Sequence, residues 1–412
     1  MYLSGFHTMI SKKIEDIVII GSGLTGLALS NLLKKTNVKI SLIDIKPKNY
    51  LDIISNDRYI VLSNTSKVIL ESIGLWNELS KFVTKIKNIH ISKKNIFGST
   101  IVKAYDENLD SLGYQISIKV LMETLYQNIE SENNISFIQE ANVFGIKNGK
   151  IIEINYMIQS KEKKIFSRSV IFSTGSKDDI ENKIFLDKIQ KDYNQNAIVC
   201  ELVTNKSDSD TAYERFTDDG ILGIIPRKAN IWTLIYSTTN DETISIKKFN
   251  SSEYINYFQE LIGGKCGLIS EINNIKIYPL KMKYYKKFIK NNVCLLGDAA
   301  HTLHPIAAQS FNLSLRDCAF LADLIIKAEF TRKLDFFEIF IKYYDERTKE
   351  VNRLVRFTDF LASYIHGGGI LKNNFIGILF MFMDINKSFR INLVRFLLGV
   401  NFSQSLISTL KD

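Results

Sequence analysis

The chain has 412 residues, 45% hydrophobic and 24% charged, with a formal net charge of +9. That length is too great for one simple core and calls for two domains or one elaborated fold, and the composition excludes collagenous, disulfide-rich and disordered classes. The positive excess is scattered over Lys34–Lys35, Lys93–Lys94, Lys161, Lys163, Lys164 and Lys286–Lys287, so no nucleic-acid partner is expected, whereas attraction to anionic lipid or a phosphorylated cofactor fits equally well.

The four cysteines, Cys200, Cys266, Cys294 and Cys318, lack metal-ligand spacing and read as reduced, mostly buried thiols, with no metal expected. The leading MYLSGFHTMISKK lacks the apolar core of a secretion signal, and Met9 is an alternative start. No run reaches the roughly 18 apolar residues of a membrane span. A cytoplasmic protein is expected, with peripheral contact at the inner face of the cytoplasmic membrane as a further option.

In chain order, Asp16–Ile20 is a continuous apolar run suited to a buried parallel strand. It enters Gly21-Ser22-Gly23-Leu24-Thr25-Gly26. Leu27, Leu29, Leu32 and Leu33 then follow at helical spacing, and Val38–Ile43 makes a second strand ending at Asp44. This unit binds an adenine dinucleotide. Gly21 permits the turn, Gly23 admits the pyrophosphate, Gly26 packs helix on strand, and Asp44 bonds ribose hydroxyls. Arg58 is either a phosphate or ring neighbour or a surface cation. Ser63–Ser66 offers N-cap residues for a helix through Val68, Ile69, Ile73 and Leu75.

Leu112–Ile129 reads as a turn and an amphipathic helix; Val143–Tyr156 and Lys164–Phe172 read as strands, the latter ending at Ser173-Thr174-Gly175. Ile198–Val203, Thr211–Phe216, Ile221–Ile225 and Ile231–Tyr236 are short strands that suggest an antiparallel sheet forming a second domain. Phe249–Leu261 and Lys281–Lys290 read as helical or extended surface segments. Val293–Leu296 is a buried strand that turns at Gly297-Asp298, placing a carboxylate at a strand's C-terminal end, where open α/β sheets bind ligands. Ala299, Ala300, Ala307, Ala308 and Ser310 are small, as suits close approach to a flat cofactor. Beyond Asp317, Cys318–Lys327, Leu334–Lys349 and Val351–Ile365 have helical spacing. Gly367–Gly369 breaks the chain, and the apolar Phe375–Met383 with Lys387, Arg390 and Arg395 suits either a lipid surface or a buried helix pair.

Four blocks, Ile17–Asp44, Arg58–Trp76, Tyr213–Pro226 and Leu296–Asp317, together resemble the class A flavoprotein monooxygenases, specifically the ubiquinone-biosynthesis hydroxylase family. A weaker likeness runs through Tyr344, Arg347, Asn352, Thr358 and Asp359. The resemblance implies an α/β fold: a Rossmann-like FAD-binding domain of the para-hydroxybenzoate hydroxylase type, an antiparallel-sheet substrate domain and C-terminal helices. Expected divisions are 13–75, 113–183 and 281–345 for the FAD-binding domain, 76–112 and 184–280 for the substrate domain, and 346–412 for the helical region. It further implies FAD as cofactor and NAD(P)H and dioxygen as co-substrates. The substrate would be a polyprenylated phenol, hydroxylated by an oxygen carried on the flavin C4a carbon, and other quinone-biosynthesis proteins would be partners. By resemblance, Gly21, Gly23, Leu24, Thr25, Gly26 and Asp44 hold the ADP half, Arg58 lies near the cofactor, and Gly297-Asp298 meets the ribityl chain. Pro305, Ala308, Gln309, Ser310, Phe311 and Asn312 line the isoalloxazine ring. His301 and His304 are general-base candidates by residue type, with structural hydrogen bonding the expected role.

The chain departs from the family pattern in three places. Ala308, Ser310 and Ser314 stand where the family has glycine, and a positive φ there would cost about 1–2 kcal/mol. Thr174-Gly175 replaces an Asp-Gly motif, whose following Ser and Arg fall at Asp178 and Glu181. Ile118 stands at a usual Asn. Two other readings follow: an accessory subunit of a quinone-synthesis assembly that keeps the fold, and an FAD-dependent polyprenyl-lipid reductase that consumes no oxygen.

Overall fold

The run Ile17–Ile20 is buried on both faces, as a central parallel strand must be. In the computed structural model, which describes residues 13–54, 58–96, 98–176, 180–207, 209–304, 310–364, 382 and 385–398, the strand Ile14–Ile20 lies between Lys161–Phe172 and Ile40–Ile43, parallel to both. Val293–Leu295 extends the parallel layer on one side and Ile135–Ile138 on the other. The helices Leu24–Leu33 and Ser310–Phe330 pack together beside this sheet. All four cysteines are free and buried.

A second eight-stranded sheet runs His301–Thr302, Ile269–Tyr285, Lys188–Thr204, Ile231–Thr239, Gly220–Pro226, Thr211–Phe216, Asn88–Lys93, Ser99–Lys103. The four short strands read from the sequence are adjacent members of it. Within Lys281–Lys290, expected as a helical or extended surface segment, Lys281–Tyr285 is extended and ends the long strand Ile269–Tyr285, but Met282, Lys283 and Tyr285 are buried, because Lys188–Thr204 pairs with that strand along most of its length. The sheet is also not wholly antiparallel: Asn88–Lys93 joins Thr211–Phe216 in parallel. One face, with Ile198, Leu202, Leu222, Trp232 and Tyr236, packs under the helix Ser251–Ile262. An Asn250–Glu253 capping box starts that helix. The opposite face turns Ile225, Thr233 and Ile235 toward a cleft against the first sheet.

Leu112–Ser117, expected as a turn, contains the strand Gly113–Ser117, which leads into the helix Ile118–Gln127. Ser63 caps the helix Asn64–Ser72, accepting from the Ser66 amide. Near the C-terminus the pattern suggested separate helices either side of residue 350, yet Phe336–Tyr364 is one helix. Glu350 is a good helix former, and its carboxylate is taken up by two arginines. The helix Lys387–Leu398 follows, its Arg390 and Arg395 paired with Asp106 and Glu107. The glycine run 367–369 and the apolar segment 375–383, apart from Phe382, lie outside the described residues. No helix among the described residues is long and apolar enough to cross a membrane.

Four charges tie the helix Ser310–Phe330 to the helix Phe336–Tyr364. Asp317, fully buried, accepts from Arg347 Nε at 2.6 Å and pairs with His301 Nε2 at 2.7 Å. Arg316, also buried, donates to Glu350 at 2.8 Å, and Arg347 reaches the other Glu350 oxygen. Burial alone would raise the Asp317 carboxyl, but Arg347 and His301 outweigh it and hold it below the usual carboxylate range. Two arginines and two carboxylates leave no net charge, so the cost of removing any one is the stranded partner. Arg347→Leu is expected to lower stability by about 3–5 kcal/mol. Lys94→Ala, at an exposed pair with Glu260, should cost under about 1 kcal/mol. Urea unfolding of the two variants compares them directly, and similar losses would refute a keystone role for the cluster.

Candidate functional site

The glycine turn is fixed by contacts that leave no room for side chains. Gly21 has φ +108°, and a Cβ there would stand 2.5 Å from the Ser173 carbonyl oxygen. At Gly26 it would stand 2.1 Å from the Gly21 carbonyl oxygen. Gly23 differs: its Cβ would meet nothing nearer than Lys46 Nζ at 4.0 Å, so this side of the turn is open to a ligand. No side chain caps the N-terminus of the helix Leu24–Leu33, and its first turn holds no acid. Its positive end, with the Lys46 ammonium nearby, therefore faces open space, an arrangement that suits pyrophosphate. Asp44 accepts from the Ser22 amide at 2.6 Å, the Ser22 hydroxyl at 2.9 Å and the Lys46 amide at 2.9 Å. A carboxylate has about four acceptor sites, so about one remains for a ribose hydroxyl.

From this turn a cleft of about 840 Å³ runs past Ser173-Thr174-Gly175 to Asp298, Ser310 and Phe311, and up to Thr233 and Ile235 of the second sheet. That size falls within the roughly 300–1,000 Å³ of cofactor and small-molecule sites. Gly21, Gly23, Leu24, Thr25, Asp44, Arg58, Asp298, Ser310 and Phe311 all line it, with Arg58 at an exposed position. Gly26 and Gly297 stand just behind. Gly297 has φ +61° and faces the Ser314 and Thr25 hydroxyls. Pro305, Ala308 and Gln309 lie outside the described residues.

The remaining sequence candidates support the wall rather than form it. Asn312 is buried and accepts from the Ser63 amide at 2.8 Å and the Ser66 hydroxyl at 2.7 Å, while donating to the Val61 carbonyl at 2.9 Å. It thus staples the strand Tyr59–Ser63 into place. His301 is committed to Asp317, and His304 contacts Gln195 at 3.3 Å with its ring edge against Tyr193. Both histidines are buried and neither lines the cleft.

Two of the family departures have local answers. Ser310 and Ser314 lie in a helix, not at positive φ, so neither pays the backbone strain expected of a lost glycine. Ser310 instead donates its hydroxyl to Asp298, and Ser314 donates to the Ser310 carbonyl at 3.0 Å. Burial pushes the Asp298 carboxyl up, against the opposing pull of Ser310, His301 and Lys283. At Thr174 a carboxylate is present after all: the buried Glu181, seven positions on, accepts the Thr174 hydroxyl and lines the cleft.

Sequence reasoning missed two further polar groups. Gln115 is buried in the cleft wall, donating to Thr233 at 2.9 Å, while its Oε1 has no partner among the described residues. Such an orphaned acceptor fits a ligand that brings an N–H or O–H. Glu214 alternates with Tyr213 and Arg215, so it faces the cleft side of the second sheet, reaching to 3.9 Å from where a Gly223 Cβ would be. Burial pushes its carboxyl up to about 7, with no charged group to offset it. The alternation of Tyr213–Phe216 was the available signal for Glu214. Gln115 and Glu181 had none, since only the fold brings them to the cleft.

A glycine turn, an open helix end, a ribose-ready acid and a polar-lined cleft together fit FAD. Residues 188–358 match the FAD binding domain family. The solved p-nitrophenol 4-monooxygenase PnpA from Pseudomonas putida shares the fold, with a TM-score of 0.77 at 14% identity over 97% of this chain and 99% of that one. The chain has the fold of the FAD-dependent monooxygenases. Within them it is similar to ubiquinone hydroxylase UbiM of Neisseria meningitidis, 24% identical over 76% of this chain and 69% of that protein. It is also similar to ubiquinone hydroxylase UbiL of Rhodospirillum rubrum, 22% identical over 77% and 74%.

Gly26→Ala should cost at least about 1–3 kcal/mol through overpacking and abolish flavin uptake; a variant that still binds flavin would contradict the packing described. For Glu214 the folded value near 7 exceeds the usual 4.5, so the folded protein binds this proton more tightly. Stability from this source is present below 4.5 and lost as pH rises toward 7. Glu214→Gln should therefore raise the melting temperature relative to the parent at pH 8 and leave it nearly unchanged at pH 4.5. An equal effect at both pH values would argue against the assigned environment.

Proposed function

We propose that the chain is an FAD-dependent monooxygenase that hydroxylates the aromatic ring of a polyprenylated phenol in ubiquinone biosynthesis, using NAD(P)H and dioxygen. The observation that carries this reading is the single cleft joining the glycine turn to Asp298 and then to the second sheet. The similarity to two ubiquinone hydroxylases supports the substrate class. FAD, when bound, would accept reducing equivalents from NAD(P)H and deliver one atom of dioxygen to the ring, the other leaving as water.

The chain's own residues hold, orient and desolvate. The Gly21–Gly26 turn and the following helix end hold the pyrophosphate, and Asp44 holds the ribose. Asp298, fixed by the Ser310 hydroxyl, receives the ribityl hydroxyls. Gln115 Oε1 accepts a hydrogen bond from whatever polar edge meets the wall. Ile60, Val61, Met122, Ile225, Ile235 and Phe311 make that wall apolar, which suits an aromatic ring with a prenyl tail and keeps water out.

The visible absorption spectrum of the purified protein, before and after adding FAD, tests the reading. Bound flavin at about one per chain, followed by NAD(P)H oxidation and oxygen uptake with a prenylated phenol, is expected. A colourless protein that refuses FAD would overturn the enzyme and leave the accessory-subunit reading. Bound flavin with substrate reduction but no oxygen uptake would replace the hydroxylase with the reductase.

A further inference from the structure

On the far face of the second sheet, away from the cleft, three cations converge with no counter-ion among the described residues. Strand pairing sets His90 beside Tyr213 and Ser92 beside Arg215. The turn after the helix Ser251–Ile262 brings Lys265 to 3.5 Å from His90 Nδ1 and over the Tyr213 ring at 5.7 Å. Lys206 approaches the same ring at 5.8 Å. A hollow of about 530 Å³ opens here, lined by His90, Ser92, Lys93, Arg215 and Lys265 among others.

Two of the three cations are held by neutral carbonyls, and the third sits on a braced turn. Arg215 Nε donates to the Leu261 carbonyl at 2.7 Å and its other arm reaches the Ser92 hydroxyl at 3.4 Å. Lys206 donates to the Lys265 carbonyl at 2.9 Å. Gln259 clamps the Lys265 turn by donating to the Gly263 carbonyl at 2.7 Å and to that of Gly267 at 3.3 Å. Neighbouring lysines differ: Lys93 pairs with Asp218 and Lys94 with Glu260. Among the described residues no carboxylate reaches Lys206, Arg215 or Lys265. Burial, with Arg215 close by, holds the Lys265 ammonium below its ordinary range, and burial, Lys265 and Arg215 lower His90. Gathering like charges on a braced turn is unfavourable unless something anionic joins them.

We propose that this hollow binds a phosphate group, with Arg215 supplying a fork of donors, Lys265 charge and Ser92 a hydroxyl, while Lys206, outside the lining, braces the Lys265 turn through its carbonyl and adds to the positive field. Phosphate rather than carboxylate fits because three cations match a near-dianion. Because Glu214 faces the cleft and its neighbours Tyr213 and Arg215 face this hollow, the site is separate from the one that would hold FAD.

Calorimetry of the full chain in phosphate-free, low-salt buffer with inorganic phosphate and with pyrophosphate tests one source of that group. Co-sedimentation with phosphatidylcholine vesicles, with and without phosphatidic acid, tests the other. Binding of the free anions would identify a soluble phosphate compound, and binding only to the phosphatidic acid vesicles a lipid headgroup. Lys265→Gln keeps the carbonyl that Lys206 uses and should weaken binding about tenfold, as should Lys206→Gln. Lys150→Gln, on an exposed turn elsewhere, should change nothing. No binding to any probe, undiminished binding by Lys265→Gln, or equal weakening by Lys150→Gln would overturn the site.

Discussion

The arrangement rests on Asp317. Its carboxylate is fully enclosed, and it joins three parts of the chain: the turn after Val293–Leu295 through His301, its own helix, and the long C-terminal helix through Arg347. A buried carboxylate is tolerable only when matched, and here an arginine and a histidine match it. Arg316 and Glu350 close the set. The position of Asp298 follows, because the turn that presents it is pinned three residues later by His301. The cleft floor is therefore placed by electrostatics from behind.

Much of this was legible in the sequence where local rules and global fold agree. The glycine turn, its strand, its helix and Asp44 obey one geometric requirement, and the contacts at Gly21 and Gly26 show why no other residue would serve. The short strands of the second sheet were visible from alternation and turn residues. What escaped notice depended on distant partners. The strand Ile269–Tyr285 carries lysines and asparagines that read as surface, because much of it is an exposed partner to Lys188–Thr204. The pairing of Asn88–Lys93 with Thr211–Phe216 links segments that no local pattern connects.

The site divides the same way. Positions whose backbone shape forbids a side chain, such as Gly21 and Gly26, were legible at once. Those that act through a side chain delivered from elsewhere were not, as Gln115 and Glu181 show. At Thr174, where the family pattern has an aspartate, the hydroxyl donates to the buried Glu181, which lines the same cleft. At Asn312 the reverse occurred, since a residue expected against the ring instead secures the strand behind it.

The order in which the two large sheets draw on the chain bears on how the molecule is made. The first sheet takes strands from 14–172 and again from 289–295, and the second from 88–103, 188–285 and 301–302. Neither sheet is whole until the stretch around residue 300 has left the ribosome, and each must wait for the other to make room. Such long-range closure makes for slow assembly, with unpaired strand edges exposed in the interim. A chain cut between residues 204 and 293 would leave both sheets short of a strand.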